Sequence, residues 1–280
     1  MIDDGLLLVT VILLVGVFGL IIGSFLNVVI WRLPRGESLS HPGSACPKCN
    51  HAIRWWDNVP VVSWLVLRGR CRDCGNSISW RYPAVETATG VFFAAVGFWV
   101  FDGGSRSGND PLAQALTLIA YLYLAGVSVA LTMIDLDTNR LPNALVLPGY
   151  IVGVVLLGGS SLLSGDIDSI ISAVIGAASL FVAYLLMAIA YPGGMGFGDV
   201  KLSGVLGLFL GWLGWGPLLV GAFGAFLLGG IFSVALVVVR RAGRKSGIPF
   251  GPWMLAGAWL GIFAGEAVWT GYLALVGLEV

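Results

Sequence analysis

Two acids stand where apolar runs meet polar chain. Asp135 follows directly on a hydrophobic stretch in MIDLDTNRLPN, and Asp199 sits in GMGFGDVKL at the head of another. A bare carboxylate near hydrocarbon is costly, so each needs a task. Paired carboxylates can share one proton, because two adjacent negative charges repel. One then serves as general base toward water, and the other as general acid toward a scissile carbonyl and its leaving amine. That is the arrangement of an aspartic protease. Gly196 and Gly198 carry no side chain to block an extended peptide, and glycine takes backbone conformations that other residues resist. The residues alone leave a second reading open. Asp199 would be a cap at a helix start, where exposed amides favour negative charge, and Asp135 a loop anchor.

Four cysteines form the second constellation. They read C-P-K-C (Cys46, Cys49), then 21 residues, then C-R-D-C (Cys71, Cys74). Two such knuckles at ribbon-like spacing suit four thiolates around a tetrahedral zinc, a closed and therefore structural site. Two disulfides are the competing arrangement, and a cytoplasmic location disfavours them. His41 and His51 read as exposed loop histidines. Tryptophans and arginines alternate in RWWDNVPVVSWLVLRGRC and SISWRYPAVE. They suit either a headgroup-level anchor or a docking surface.

The elements that must position these groups are membrane spans. Hydrophobic residues make up 58% and charged residues 11% of the 280, with a mean hydropathy of +0.92. That composition excludes a soluble domain. Apolar runs fall at about 6–30, 83–101, 112–134, 141–160, 167–191, 199–216, 217–239 and 250–276. An all-α polytopic membrane protein of about eight transmembrane helices is the expectation, with a cytoplasmic zinc-ribbon-like loop. Only GWGP stands between the sixth and seventh runs, and Pro148–Gly149 predicts a kink in the fourth. The 41 glycines predict close helix packing in lipid. Asp3 and Asp4 precede the first run where a secretory signal would be basic, so that span is expected to be retained.

Alternating spans gather the basic residues on one side. Arg32, Arg35, Lys48, Arg54, Arg68, Arg70, Arg72, Arg81, Arg140, Lys201, Arg240, Arg241, Arg244 and Lys245 fall there, and Arg106 falls opposite. The positive-inside rule makes the first side cytoplasmic and places both termini outside. Asp3, Asp4, Asp102, Asp110, Asp166, Asp168 and Glu279 then lie outside as solvated loop acids, and Glu266 reads as structural. The net charge of zero gives no reason to expect nucleic acid as a partner. A transporter with midplane acids is the alternative class, but it predicts acids at helix centres and an inverted repeat. Neither is evident.

These motifs resemble a known family. GMGFGDVKL is similar to the G-x-G-D-x-K signature of bacterial prepilin peptidases, which are membrane aspartyl proteases. IDLDTNRLPNALVLP is similar to that family's first aspartate motif. GSFLNVVIWRLP, the double C-x-x-C, NVPVVSWLVLRGRC and SWRYPAVE resemble the amino-terminal region of its bifunctional members. The resemblance spans essentially the whole chain. It implies a catalytic pair of Asp135 and Asp199, with Asp137 ranked below Asp135 and with Gly196, Gly198 and Lys201 completing the signature. Asn143 stands where many relatives carry aspartate. The implied substrates are type IV prepilins and type II secretion pseudopilins, cut at the cytoplasmic face of the inner membrane after a glycine. The implied second activity is N-methylation from S-adenosylmethionine. Asn27, Arg81 and Glu86 lie in the matching motifs, although each also reads as a polar packing group, and the donor site is left unassigned. The implied division is a first helix (1–30), a four-cysteine zinc loop associated with methyl transfer (31–82) and a seven-helix peptidase core (83–280).

Overall fold

Eight long helices account for most of the described residues. The computed structural model describes residues 4–106, 108, 110–191, 194–239 and 249–277. The long elements are α1 (Asp4–Arg32), α3 (Arg81–Phe101), α4 (Pro111–Thr138), the joined α5 (Asn143–Val152) and α6 (Gly158–Ser164), α7 (Ile167–Ala190), α8 (Phe197–Leu213), α9 (Trp215–Val238) and α10 (Gly251–Leu275). A short α2 (Val62–Val66) lies in the loop between α1 and α3. No strand forms among the described residues, only two isolated β-bridges in that loop.

Seven of these helices are long and apolar enough to cross a membrane. The exception is α8, whose 17 residues rise about 25 Å, short of the roughly 30 Å hydrocarbon core. It is instead the central helix, with every residue from Leu202 to Leu213 buried. Its neighbours supply its apolar surroundings, so it need not match the bilayer by itself. The fourth run is irregular, with Pro148 inside α5. The break is a π-helical turn, Gly153–Leu157. A Cβ on Gly153 would lie 3.0 Å from the Phe209 ring, so the turn lets the bent helix close onto α8.

Close approach explains why glycine is so frequent. A Cβ on Gly19 of α1 would lie 2.9 Å from the Gly90 Cα of α3, and one on Gly176 of α7 would lie 3.0 Å from the Gly211 Cα of α8. Backbones this near gain dispersion contacts where no hydrophobic effect operates between helices. Buried polar side chains add staples. Tyr121 donates to the Phe209 carbonyl at 2.9 Å, Trp212 to Ser161 Oγ at 2.8 Å and Trp259 to Ser128 Oγ at 3.0 Å.

Several loop acids are more than solvated. Asp110 accepts from the Leu112 and Ala113 amides and caps α4. Asp166 caps α7 through Ser169 and faces Arg106 at 3.9 Å. Asp3, Glu279, Arg240, Arg241, Arg244 and Lys245 lie outside the described residues.

Candidate active site and cysteine centre

Asp135 lies in the last turn of α4 and is 4% exposed. Its Oδ2 accepts a 3.1 Å hydrogen bond from the Gly251 backbone N–H at the start of α10. That helix opens with Gly251–Pro252, and proline there gives up an amide that would be unpaired anyway. Asp199 is the third residue of α8, and its Oδ2 accepts from the Gly196 N–H at 3.0 Å. Each acid thus meets amides at a helix N-terminus, where the partial positive charge favours a carboxylate.

The two carboxylates lie within electrostatic range of one another. Leu141 packs between their supports. A Cβ on Gly198 would lie 3.0 Å from the Leu141 Cβ, and one on Gly251 would lie 3.1 Å from the Leu141 Cδ2. Among the described residues, each acid has its hydrogen bond at Oδ2. No buried side-chain oxygen among the described residues lacks a partner.

The neighbours have distinct tasks. Asp137 turns away and pairs with Arg81 at 2.5 Å, which leaves Asp135 as the acid that faces Asp199. Lys201 Nζ donates to Asn143 Oδ1 at 3.0 Å, and the Tyr150 hydroxyl donates to the Lys201 carbonyl at 2.8 Å. The glycines matter here for what they lack rather than for unusual torsions. Gly196 has φ −77° and ψ 148°, ordinary extended values, and Gly198 is not in the left-handed region. A Cβ on Gly196 would stand 3.3 Å from Asp199 Oδ2. Gly251, Leu141 and the buried Tyr184, which also lies in electrostatic range of Asp199, escape a reading of the sequence alone. The one available signal was Gly-Pro at the head of an apolar run.

The cysteine loop folds as two copies of one turn. Cys46 N–H donates to the His51 carbonyl and Asn50 N–H to the Cys46 carbonyl; Cys71 and Gly75 repeat both bonds with Asn76 and Cys71. Asn50 at φ 57° and Gly75 at φ 67° supply the left-handed residue after each knuckle. The four sulfurs lie within 4.8 Å of one another, and those of Cys46 and Cys74 are 3.7 Å apart. A tetrahedral zinc with bonds of about 2.3 Å sets sulfurs about 3.8 Å apart. All four are free thiols, and the arrangement fits a metal ion. Backbone amides of Cys49 and Lys48 pull the Cys46 thiol down to about 6. The His51 amide also pulls on Cys49, but desolvation and the crowd of other thiols push it up to about 11. Four thiolates this close call for a cation.

Asn27, Arg81 and Glu86 join this loop to the helices. Asn27 donates to the Tyr82 carbonyl at 3.2 Å, and Glu86 Oε2 accepts from the Val61 N–H at 2.7 Å. Arg81 bridges to Asp137 two residues beyond Asp135. Asp57 bonds bidentately to Arg72, between the second pair of cysteines. That hydrogen-bonded guanidinium holds the Asp57 carboxyl below the usual range.

Together these features define a polytopic helical membrane protein with an acid pair and a four-cysteine loop at the same end. Residues 17–101 match the family model described as the bacterial peptidase A24 N-terminal domain, and residues 122–234 match that of the type IV leader peptidase family. The chain is 36% identical to the prepilin leader peptidase/N-methyltransferase of Aeromonas salmonicida (strain A449), with 94% of each chain covered. It is 37% identical to that of Aeromonas hydrophila and 34% identical to that of Pseudomonas aeruginosa, each over 93% of both chains. No solved structure matches. The chain belongs to the type IV leader peptidase family.

Proposed function

We propose that this protein removes the leader of type IV prepilins and pseudopilins and N-methylates the new amino terminus, with Asp135 and Asp199 as the catalytic pair. The observation that carries the catalytic assignment is the convergence of the two acids. Each has Oδ2 tied to a helix-start amide, and in this reading Oδ1 is the atom that meets water and substrate. One carboxylate takes a proton from the attacking water while the other, protonated, donates to the scissile carbonyl oxygen. The first then passes its proton to the leaving amine as the C–N bond breaks, and collapse of the gem-diol returns a proton to the second. The fixed Oδ2 atoms hold both groups in register, so little reorganisation is needed at the moment of reaction. Leaving Gly196 and Gly198 without side chains keeps the approach to Asp199 narrow but open.

In this reading Cys46, Cys49, Cys71 and Cys74 hold a structural zinc. Four sulfurs close its coordination shell, so the ion staples the loop and takes no part in the chemistry. The methyl donor is S-adenosylmethionine. Asn27, Arg81 and Glu86 are already engaged by Tyr82, Asp137 and Val61, and these bonds fit a helix–loop junction rather than a donor pocket. The acids and the loop share one membrane end, taken as the cytoplasmic face because the basic residues cluster there, with both termini outside. The loop 31–82 is the part associated with methyl transfer, and the peptidase core follows it.

The test uses full-length enzyme in nanodiscs with a prepilin peptide that contains the glycine junction. Cleavage and methylation are followed by mass spectrometry for wild type, Asp135→Asn and Asp199→Asn. Loss of cleavage in both variants, with methylation of a pre-cleaved peptide retained, supports the pair and a separate transferase site. Normal cleavage by either variant removes that acid from the mechanism.

A further inference from the structure

The cysteine loop presents a strip of apolar side chains that its own fold leaves bare. Val62, Leu65 and Val66 of α2 are 55%, 61% and 70% exposed, and Trp55 and Trp80 are 77% and 73% exposed. We propose that this strip seats the loop in the boundary between headgroups and acyl chains, with anionic phospholipid as its partner. The inference needs only that the helices span a membrane, and it stands whether or not Asp135 and Asp199 are catalytic.

Depth is the first argument. The Val61 N–H, at the head of α2, donates to Glu86, whose carboxylate lies near Ser24 of α1. Glu86 is five residues inside α3, so α2 starts about 7 Å below the end of that helix. Its neighbour Ser24 lies eight residues inside α1, about 12 Å from the end of that helix. An element pinned at this level is held down toward the helices while the Val61–Glu86 bond holds. Its uncovered residues face the medium that surrounds the helix bundle.

Strain is the second. Val61 takes φ 61° and ψ −50°, an outlier for a β-branched residue. The bond to Glu86 holds that turn and ties the head of α2 to α3. Ser63 locks the same corner by accepting from the Val59 N–H and donating to the Trp56 carbonyl. The exposure of the strip is thus built in.

Charge names the partner. Arg68 and Arg70 follow α2 immediately, both exposed, and neither has an acidic partner among the described ion pairs. Arg54 and Arg72 are occupied by Asp73 and Asp57. Free arginines beside exposed tryptophan and leucine match an anionic interface, where apolar burial and headgroup attraction act together. The Asp57–Arg72 pair then links the seated α2 region to the second cysteine knuckle.

The test places p-benzoylphenylalanine at position 66 in the full-length enzyme. The enzyme is reconstituted in nanodiscs of phosphatidylglycerol and phosphatidylcholine, irradiated with prepilin peptide present, and analysed by mass spectrometry. A phospholipid adduct as the main product is expected. Adducts mainly with the peptide, or none with lipid while cleavage activity is retained, would overturn the proposal. Arg68→Gln/Arg70→Gln in the same protein should lower the phosphatidylglycerol adduct about twofold or more relative to phosphatidylcholine. An unchanged ratio would overturn the anionic partner.

Discussion

Asp135 and Gly251 are 116 positions apart, yet the Gly251 N–H donates to Asp135 Oδ2 at 3.1 Å. That bond brings the end of α4 against the start of α10, and Leu141 fills the space between Gly251 and Gly198. One acid is thereby held by a backbone group, which cannot rotate away as a side chain can.

The Gly251→Ala substitution tests this support directly. Its Cβ would stand 2.7 Å from Asp135 Oδ2 and 3.1 Å from Leu141, so the carboxylate has to shift. A misplacement of this kind costs about 10²-fold in rate. Cleavage should fall by that order with KM little changed, and methylation of a pre-cleaved peptide should persist. Steady-state kinetics on both reactions give the answer.

Replacing either acid by its amide removes proton transfer while keeping shape. Asp135→Asn and Asp199→Asn should each lower cleavage by about 10²–10⁴-fold. The double variant should be little worse than either single one, because the pair acts as a unit. Additive losses in single-turnover assays would show that the two act independently.

The cysteine centre predicts a metal-dependent loop. Cys46→Ser should lower bound zinc, measured by elemental analysis, and should speed proteolysis within residues 31–82. The long helices should stay folded, because they are held by contacts within the bundle. Zinc content equal to wild type would dismiss the assignment.

The Asp57–Arg72 pair predicts a pH dependence. The folded-state pKa of Asp57 is depressed by the hydrogen-bonded Arg72. Its stabilising contribution is therefore fully present above the ordinary carboxylate value and is lost as pH falls through the depressed one. Hydrogen exchange of the loop should be slower in wild type than in Asp57→Asn at neutral pH. That advantage should shrink as pH drops below about 4. A constant difference across this range would assign the effect to packing instead.

Asn143→Asp should leave cleavage intact, because Lys201 already bonds Oδ1 of the asparagine at 3.0 Å. An exposed ion pair in its place contributes at most about 1 kcal/mol. Thermal unfolding in detergent should show a rise of a few degrees or none.

Much of this protein was legible in its sequence, for local reasons. Runs of about 20 apolar residues must become helices in lipid, because no other element satisfies its own backbone there. Spacing alone paired Cys46 with Cys49 and Cys71 with Cys74, since a knuckle is a local turn. Asp135 and Asp199 stood out because a carboxylate beside hydrocarbon is costly. The tertiary structure decided what depends on neighbours distant in the chain. It made α8 an interior helix despite its 17 residues and put the break of the fourth run at Gly153–Leu157, where α8 packs. It turned Asp137 toward Arg81 and Asp135 toward Gly251. Hydrophobic length and motif spacing are properties of one segment, whereas the partner of a carboxylate depends on which segments the packing brings together.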